Sequence, residues 1–99
     1  MVVQSSPVPG KEAEYNDWYD NTHIPEICSV PGFTGARRFK LAGKPGEAPA
    51  YLAIYEIEAD EVTGPVQEMR ARVKTGKQTP SDAITLDPPP VVTLYEQLD

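Results

Sequence analysis

The only histidine of the chain, His23, ends a polar and aromatic run that begins at Trp18. Histidine is the side chain whose ordinary pKa lies near neutrality, so it can accept and donate protons at physiological pH. Tyr19 lies four residues before His23 and Asp20 lies three before it, which places both on its side of a helix that includes it. Asp20 could orient the imidazole, and Tyr19 could donate to a carbonyl or enolate oxygen. The spacing predicts a catalytic group of His23, Tyr19 and Asp20 that moves a proton beside a carbonyl.

A second interpretation of His23 stays open. At the end of a helix an imidazolium is stabilised by the helix dipole, so His23 could simply cap a carbonyl group there. The two interpretations differ in whether the ring faces a ligand or only the end of its own helix.

Three aromatic residues and one arginine form the predicted substrate-binding set. Trp18, Tyr51 and Tyr55 would line an apolar pocket for a ring-bearing substrate, and Arg37 would hold an anionic oxygen. Strict alternation along a strand places Arg37 on the aromatic side and Arg38 on the other side. Residue types alone leave open which arginine faces the pocket, and the aromatic residues would serve equally well as ordinary core packing.

The residues give little support to zinc binding, phosphate binding or nucleophilic catalysis. One histidine and one cysteine cannot build a histidine- or thiolate-rich zinc site, and the acidic residues around Asp17 have the spacing of a solvated helix face. No phosphate-binding glycine loop and no nucleophile motif is present, and Cys28 is expected to fill space in the core. The sequence therefore predicts an activity without a metal or a cofactor.

Charge and hydropathy set further expectations. The net charge of −6 disfavours binding to nucleic acid or to anionic membrane surfaces. No apolar run is long enough to cross a bilayer, and the N-terminus lacks the pattern of a signal peptide. A cytoplasmic protein is therefore expected.

The elements that must position these residues form one predicted domain over residues 1–99. Hydrophobic periodicity and turn residues indicate strands and helices in the order strand, helix, strand, strand, helix, strand. Pro25 should restrict Ile24 to extended backbone and end the first helix. The predicted ranges are 2–8, 10–22, 33–41, 50–57, 60–75 and 91–98.

This order predicts an α+β fold: a ferredoxin-like βαββαβ domain whose four-stranded antiparallel sheet carries both helices on one face. In the second helix Val62, Val66, Met69 and Val73 form an apolar stripe, and Thr63 could cap its start. The opposite face of the sheet would be bare. Its expected apolar residues, which predict a homodimer through this open face, are Leu52, Ile54, Val92 and Leu94.

The sequence resembles the EthD-like branch of the dimeric α/β-barrel superfamily. The resemblance is carried by the aromatic pair Trp18-Tyr19 and the His-x-Pro sequence of His23-Ile24-Pro25, and it extends over about residues 4–58. The matching segments are residues 14–25, 30–33, 36–39 and 50–56. The resemblance implies a ferredoxin-like protomer that dimerises sheet to sheet, with a pocket between its own helices and sheet.

Superfamily members include cyclases, lactone isomerases, decarboxylases, dehydratases and cofactor-independent monooxygenases, most of which act without a metal or nucleotide. The resemblance thus implies a cofactor-independent lyase, isomerase or cyclase that transfers a proton on an aromatic, lactone or polyketide-like substrate. Two alternatives remain: a non-catalytic ligand-binding or accessory protein, and a cofactor-independent monooxygenase.

Overall fold

The computed structural model describes residues 1–98. Four strands form one antiparallel sheet in the order β2-β3-β1-β4, and the helices pack on it. The elements along the chain are β1 (Val2–Ser5), α1 (Glu12–Trp18), a π-helical segment (Tyr19–His23), α2 (Ile24–Cys28), β2 (Phe33–Lys40), β3 (Tyr51–Ile57), α3 (Thr63–Lys74) and β4 (Val91–Thr93). The predicted α+β class and the four-stranded antiparallel sheet are confirmed, and the arrangement is roughly ferredoxin-like.

The first helical unit continues past Pro25, contrary to the prediction. Ile24 has helical backbone angles, φ −60° and ψ −47°, and α2 follows directly on the π-helical segment. A proline ring inside a helix normally clashes with a carbonyl of the preceding turn. The wider π-helical turn just before Pro25 gives that ring room, so the chain stays helical through Pro25.

The pairing of β2 with β3 also differs from strict alternation. An irregularity between Phe33 and Gly35 shifts the register, so that Arg38 lies opposite Ala53 and Arg37 opposite Ile54. Residues directly opposite each other in antiparallel strands share a sheet face. Arg38 therefore faces the helices together with the tyrosines, and the placement of Arg37 on the aromatic face is wrong.

The strands β1 and β4 are much shorter than predicted, and one residue predicted for the open face lies on the opposite face. Val92 pairs with Val3 and so belongs to the helix-covered face, while Leu94 lies beyond the end of β4. Leu52 and Ile54 do point away from the helices, as their registers with Gln4 and Val2 require. Apolar residues on the open face are Leu52, Ile54, Phe39 and Val91.

The core lies between the helices and the covered face of the sheet. In α3 the predicted stripe is only partly buried: Val66 and Met69 are buried, whereas Val73 is 55% exposed. Thr63 makes no capping hydrogen bond. The largest fully buried side chains are Tyr15, Tyr19, Tyr55, Ile27 and Val30. Within residues 1–98, none of the helices is long and apolar enough to cross a membrane.

Candidate functional site

The imidazole of His23 lies at the end of the π-helical segment and packs between two aromatic rings. It stacks on Trp18 with ring centroids 4.4 Å apart and an interplanar angle of 21°. The ring of Tyr19 meets it edge-on at 5.0 Å. The π-helical turn brings the residue five positions earlier, Trp18, onto the imidazole, which a regular α-helix would not do.

The Nδ1 atom of His23 is buried and has no hydrogen-bond partner among residues 1–98. Burial lowers the pKa of the imidazole to about 4, against a favourable influence of Glu26 and an unfavourable one of Arg38. The ring is therefore uncharged at neutral pH. Because α2 continues the helical unit as far as Cys28, His23 does not lie at a helix end where it could act as a cap. A buried polar atom without a partner is uncommon in folded proteins and calls for a functional explanation.

The prediction that Asp20 orients the imidazole is wrong. Oδ1 of Asp20 accepts a hydrogen bond from Nη1 of Arg38 at 2.8 Å. The π-helical turn changes the angular spacing of side chains, so the residue three positions before His23 no longer shares its side. Tyr19, in contrast, is buried against the imidazole as the spacing predicted.

Arg38 is the central charged group of the covered face. Its guanidinium carbon lies 4.4 Å from the centroid of the Tyr19 ring and within 5.5 Å of the Tyr15 and Tyr51 ring centroids. Nη2 donates to Oδ1 of Asn16 at 2.8 Å, and the side chain is only 13% exposed. The prediction that Arg37 faces the aromatic residues is wrong, although Gly35 inside a strand pattern is a known signal of a bulge.

Tyr51, the first residue of β3, belongs to a polar network with α1 and β2. Its hydroxyl donates to Oε2 of Glu12 and accepts a hydrogen bond from Nδ2 of Asn16 at 3.1 Å. Lys40 Nζ lies 2.9 Å from the same Glu12 oxygen. The hydrogen bond from Tyr51 and the nearby Lys40 lower the pKa of Glu12. Both hydrogen-bonding roles of this hydroxyl are filled, so the network holds Arg38 through Asn16.

Tyr55 lies deeper in the same layer. Its side chain is buried, and its hydroxyl makes no hydrogen bond of normal geometry within the described chain. Burial, together with the neighbouring Tyr19, raises the pKa of this hydroxyl, so it keeps its proton at all ordinary pH values. The neighbouring hydroxyl of Tyr19 is the group to which it can donate.

Residues 77–82, here called the cover segment, close over the helical unit beside His23. The indole Nε1 of Trp18 donates to the carbonyl oxygen of Thr79 at 3.0 Å. The backbone N–H and the hydroxyl of Thr79 donate to the two carboxylate oxygens of Glu26 at 2.7 and 2.8 Å. Gln78, the residue before Thr79, is only 9% exposed. The segment lies outside the predicted helices and strands, which end at residue 75 and resume at residue 91.

Arg37 and the three surface cavities lie away from His23. Arg37 is on the open face, where its side chain is 65% exposed and lies 3.6 Å from Glu56. Between the helices and the sheet, the volume predicted to form a pocket is occupied by Tyr15, Tyr19 and Tyr55. Of three surface cavities of about 590, 360 and 650 Å³, the first is lined in part by Tyr51 and the third in part by Arg37 and Tyr55, and His23 lines none of the three.

Comparison with known proteins gives no assignment for this arrangement. A scan against protein-family models finds no match, and searches of curated proteins and of solved structures find none either. The similarity to the EthD-like branch therefore stays a prediction from the motif. At the level of the fold, the findings support an α+β domain with a four-stranded antiparallel sheet and packed helices.

Proposed function

We propose that this protein is a cofactor-independent enzyme that transfers a proton on a small, ring-bearing carbonyl compound, as a lyase, isomerase or cyclase does. The observation that carries the proposal is the uncharged, buried Nδ1 of His23, which no group within residues 1–98 satisfies. A neutral imidazole can accept a proton from a bound substrate without first losing one to solvent.

Groups near His23 suit the binding of a flat substrate and the stabilisation of negative charge on its oxygen. A flat substrate could extend the stack that Trp18 and His23 already form. The positive guanidinium of Arg38 stabilises negative charge that develops on a substrate oxygen, taking the role first given to Arg37. The protonated hydroxyl of Tyr55 supplies a neutral donor for the same purpose.

The variant His23→Gln tests the proton-transfer role directly. It keeps a polar side chain of similar reach but removes the base, and general-base removal costs about 10²- to 10⁴-fold in rate. Turnover is measured on a panel of aromatic lactones and polyketide-like acids, with Arg37→Ala on the open face as the control. We expect the loss only in His23→Gln; equal turnover in wild type and His23→Gln would refute the role of His23.

A second candidate is binding without chemistry. The pKa of about 4 makes His23 a weak base, which favours a hydrogen-bond acceptor over a proton acceptor. In this case a ring compound is bound and released chemically unchanged, and its affinity depends on Trp18. Ligand binding to wild type with no turnover of any bound compound would support this candidate over the enzyme.

We further propose that two copies associate through their open sheet faces. The apolar residues Leu52 and Ile54 lie side by side there with Phe39, which is exposed in a single chain.

Replacing one of these residues by a charge should separate the copies. Ile54→Lys is expected to sediment as a monomer at micromolar concentration, where wild type sediments as a dimer, because a like charge would be buried twice in the symmetric contact. Val73→Lys, at an exposed apolar position on α3, is the matched control. A monomeric wild type, or a dimeric Ile54→Lys, would count against this interface.

A further inference from the structure

Four aromatic rings form a continuous chain along the helix-covered face of the sheet. The ring centroids of Trp18 and Tyr19 lie 5.4 Å apart. Tyr15 follows at 5.3 Å from Tyr19 and at 5.1 Å from Tyr51. These separations are those of rings in direct contact. Trp18 and Tyr51 are partly exposed and the two rings between them are fully buried, so the chain joins two solvent-accessible rings through the core.

Tryptophan and tyrosine are the aromatic side chains that lose a single electron most readily. A phenol that loses an electron becomes a strong acid, so a tyrosine is a good electron donor only where a base receives its hydroxyl proton. Tyr51 meets this condition, because its hydroxyl donates to Oε2 of Glu12. Within residues 1–98 it is the one tyrosine whose hydroxyl donates to a carboxylate.

The two middle tyrosines lack such a base. The hydroxyl of Tyr15 is hydrogen-bonded to that of Ser5 at 2.6 Å, and the hydroxyl of Tyr19 lies beside that of Tyr55. A neutral hydroxyl is a very weak proton acceptor, and burial raises the pKa of both phenols. Arg38, 4.4 and 5.5 Å from the two ring centroids, also disfavours positive charge on them. These rings can pass an electron onward but cannot remain oxidised.

We propose that the four rings form a radical-transfer path, along which an electron moves from Tyr51 to an oxidised Trp18. A one-electron oxidant of the oxyl-radical class takes an electron from the indole and becomes its anion. The indole recovers an electron from Tyr51 by way of Tyr15 and Tyr19. The O–H bond of Tyr51 breaks as its proton passes to Oε2 of Glu12, which leaves a neutral tyrosyl radical and a carboxylic acid.

The surroundings of Trp18 suit the start of this path. Its Nε1–H donates to the carbonyl oxygen of Thr79, which is too weak a base to remove the proton, so the returning electron restores the neutral indole. Trp18 also stacks on His23, and the path therefore moves oxidation away from that imidazole. The inference concerns the rings alone and does not depend on a ligand or a reaction at His23.

Pulse radiolysis with azide radicals tests the path, because these radicals oxidise tryptophan by one electron and the chain has a single tryptophan. In wild type we expect the optical absorption of the tryptophanyl radical to decay as that of a tyrosyl radical grows. The two changes should share one first-order rate constant that does not depend on protein concentration, since the transfer occurs within one molecule.

Tyr51→Phe keeps the ring but removes the O–H bond, and it is expected to slow the transfer about tenfold or more. Tyr95→Phe, which changes a tyrosine that is 70% exposed and outside the chain of rings, is the matched control and should leave the rate unchanged.

Glu12→Gln tests the proton acceptor separately, since an amide oxygen can accept the hydrogen bond but is a far weaker base than a carboxylate. We expect a loss of about tenfold here as well, with no change in the exposed control Glu14→Gln. Because this variant leaves all four rings in place, it tests the path even if Tyr51→Phe does not fold. A transfer rate proportional to protein concentration, or a wild-type rate in either Tyr51→Phe or Glu12→Gln, would overturn the inference.

Discussion

Acidification from pH 7 to pH 4 is expected to remove about 3 kcal/mol of folding free energy through His23 alone. Burial holds the pKa of the folded imidazole at about 4, well below the ordinary value of 6.5 that the unfolded chain regains. Below pH 6.5 the unfolded state therefore binds a proton that the folded state refuses. The stability that the neutral imidazole contributes is fully retained above pH 6.5. It is lost progressively as the pH falls from 6.5 through the folded pKa of about 4.

Urea unfolding of wild type and of His23→Phe at pH 7.0, 5.5, 4.5 and 4.0 measures this loss. Phenylalanine can keep the stack on Trp18 but cannot be protonated, so the carboxylates common to both proteins cancel in the difference. The gap between the two unfolding free energies should shift in favour of His23→Phe as the pH falls. A gap that stays constant from pH 7.0 to 4.0 would show that the imidazole titrates as if exposed.

The second large effect concerns the two adjacent arginines. Arg38→Met is expected to cost about 3 kcal/mol of unfolding free energy, because it removes two charge-assisted hydrogen bonds and the stacking on Tyr19. It also leaves Oδ1 of Asn16 without its donor. Arg37→Met should cost less than about 0.5 kcal/mol, since its ion pair with Glu56 is solvent-exposed.

Chemical denaturation at pH 7 compares the two variants, and the pair is its own control because the residues are neighbours with the same side chain. Similar costs for both, or the larger cost at Arg37, would contradict the register in which Arg38 lies opposite Ala53. The comparison therefore tests the bulge near Gly35 as well as the role of Arg38.

The order of elements could be predicted from the sequence because it depends on local signals. Alternating apolar residues in residues 50–57 and the turn residues before them gave β3 close to its bounds of Tyr51–Ile57. The helical spacing of Tyr15, Trp18 and Tyr19 gave the helix, and two of these three side chains are fully buried. A strongly periodic apolar pattern predicts a helix well because burial of the apolar face supplies most of the stabilisation of that helix.

Two local departures from regular geometry moved the site away from the prediction. One extra residue near Gly35 reversed which arginine faces the helices, because the side-chain period of a strand is two residues. The π-helical turn at Tyr19–His23 carried Asp20 away from the imidazole and placed Trp18 on it. Neither irregularity is visible in the hydrophobic pattern, since both depend on packing between distant parts of the chain.

The cover segment could not be predicted for a related reason. Its position depends on Glu26 and Trp18, which lie more than 50 residues before Thr79 in the chain. Side chain to backbone contacts of this kind have no periodic signature. They are important here because they bind Trp18, which stacks on the imidazole, and Glu26, which follows His23 by three residues.

The proposed site depends on whether the imidazole of His23 is neutral. Nitrogen NMR measures this protonation state without ambiguity because the chain has a single histidine. A pH titration of the two ring nitrogens gives the pKa directly. We expect a pKa near 4, with a neutral imidazole throughout the range from pH 5.5 to 8. A pKa at or above 6.5 would mean that His23 is hydrated or paired with a carboxylate, and the proposed site would then be absent.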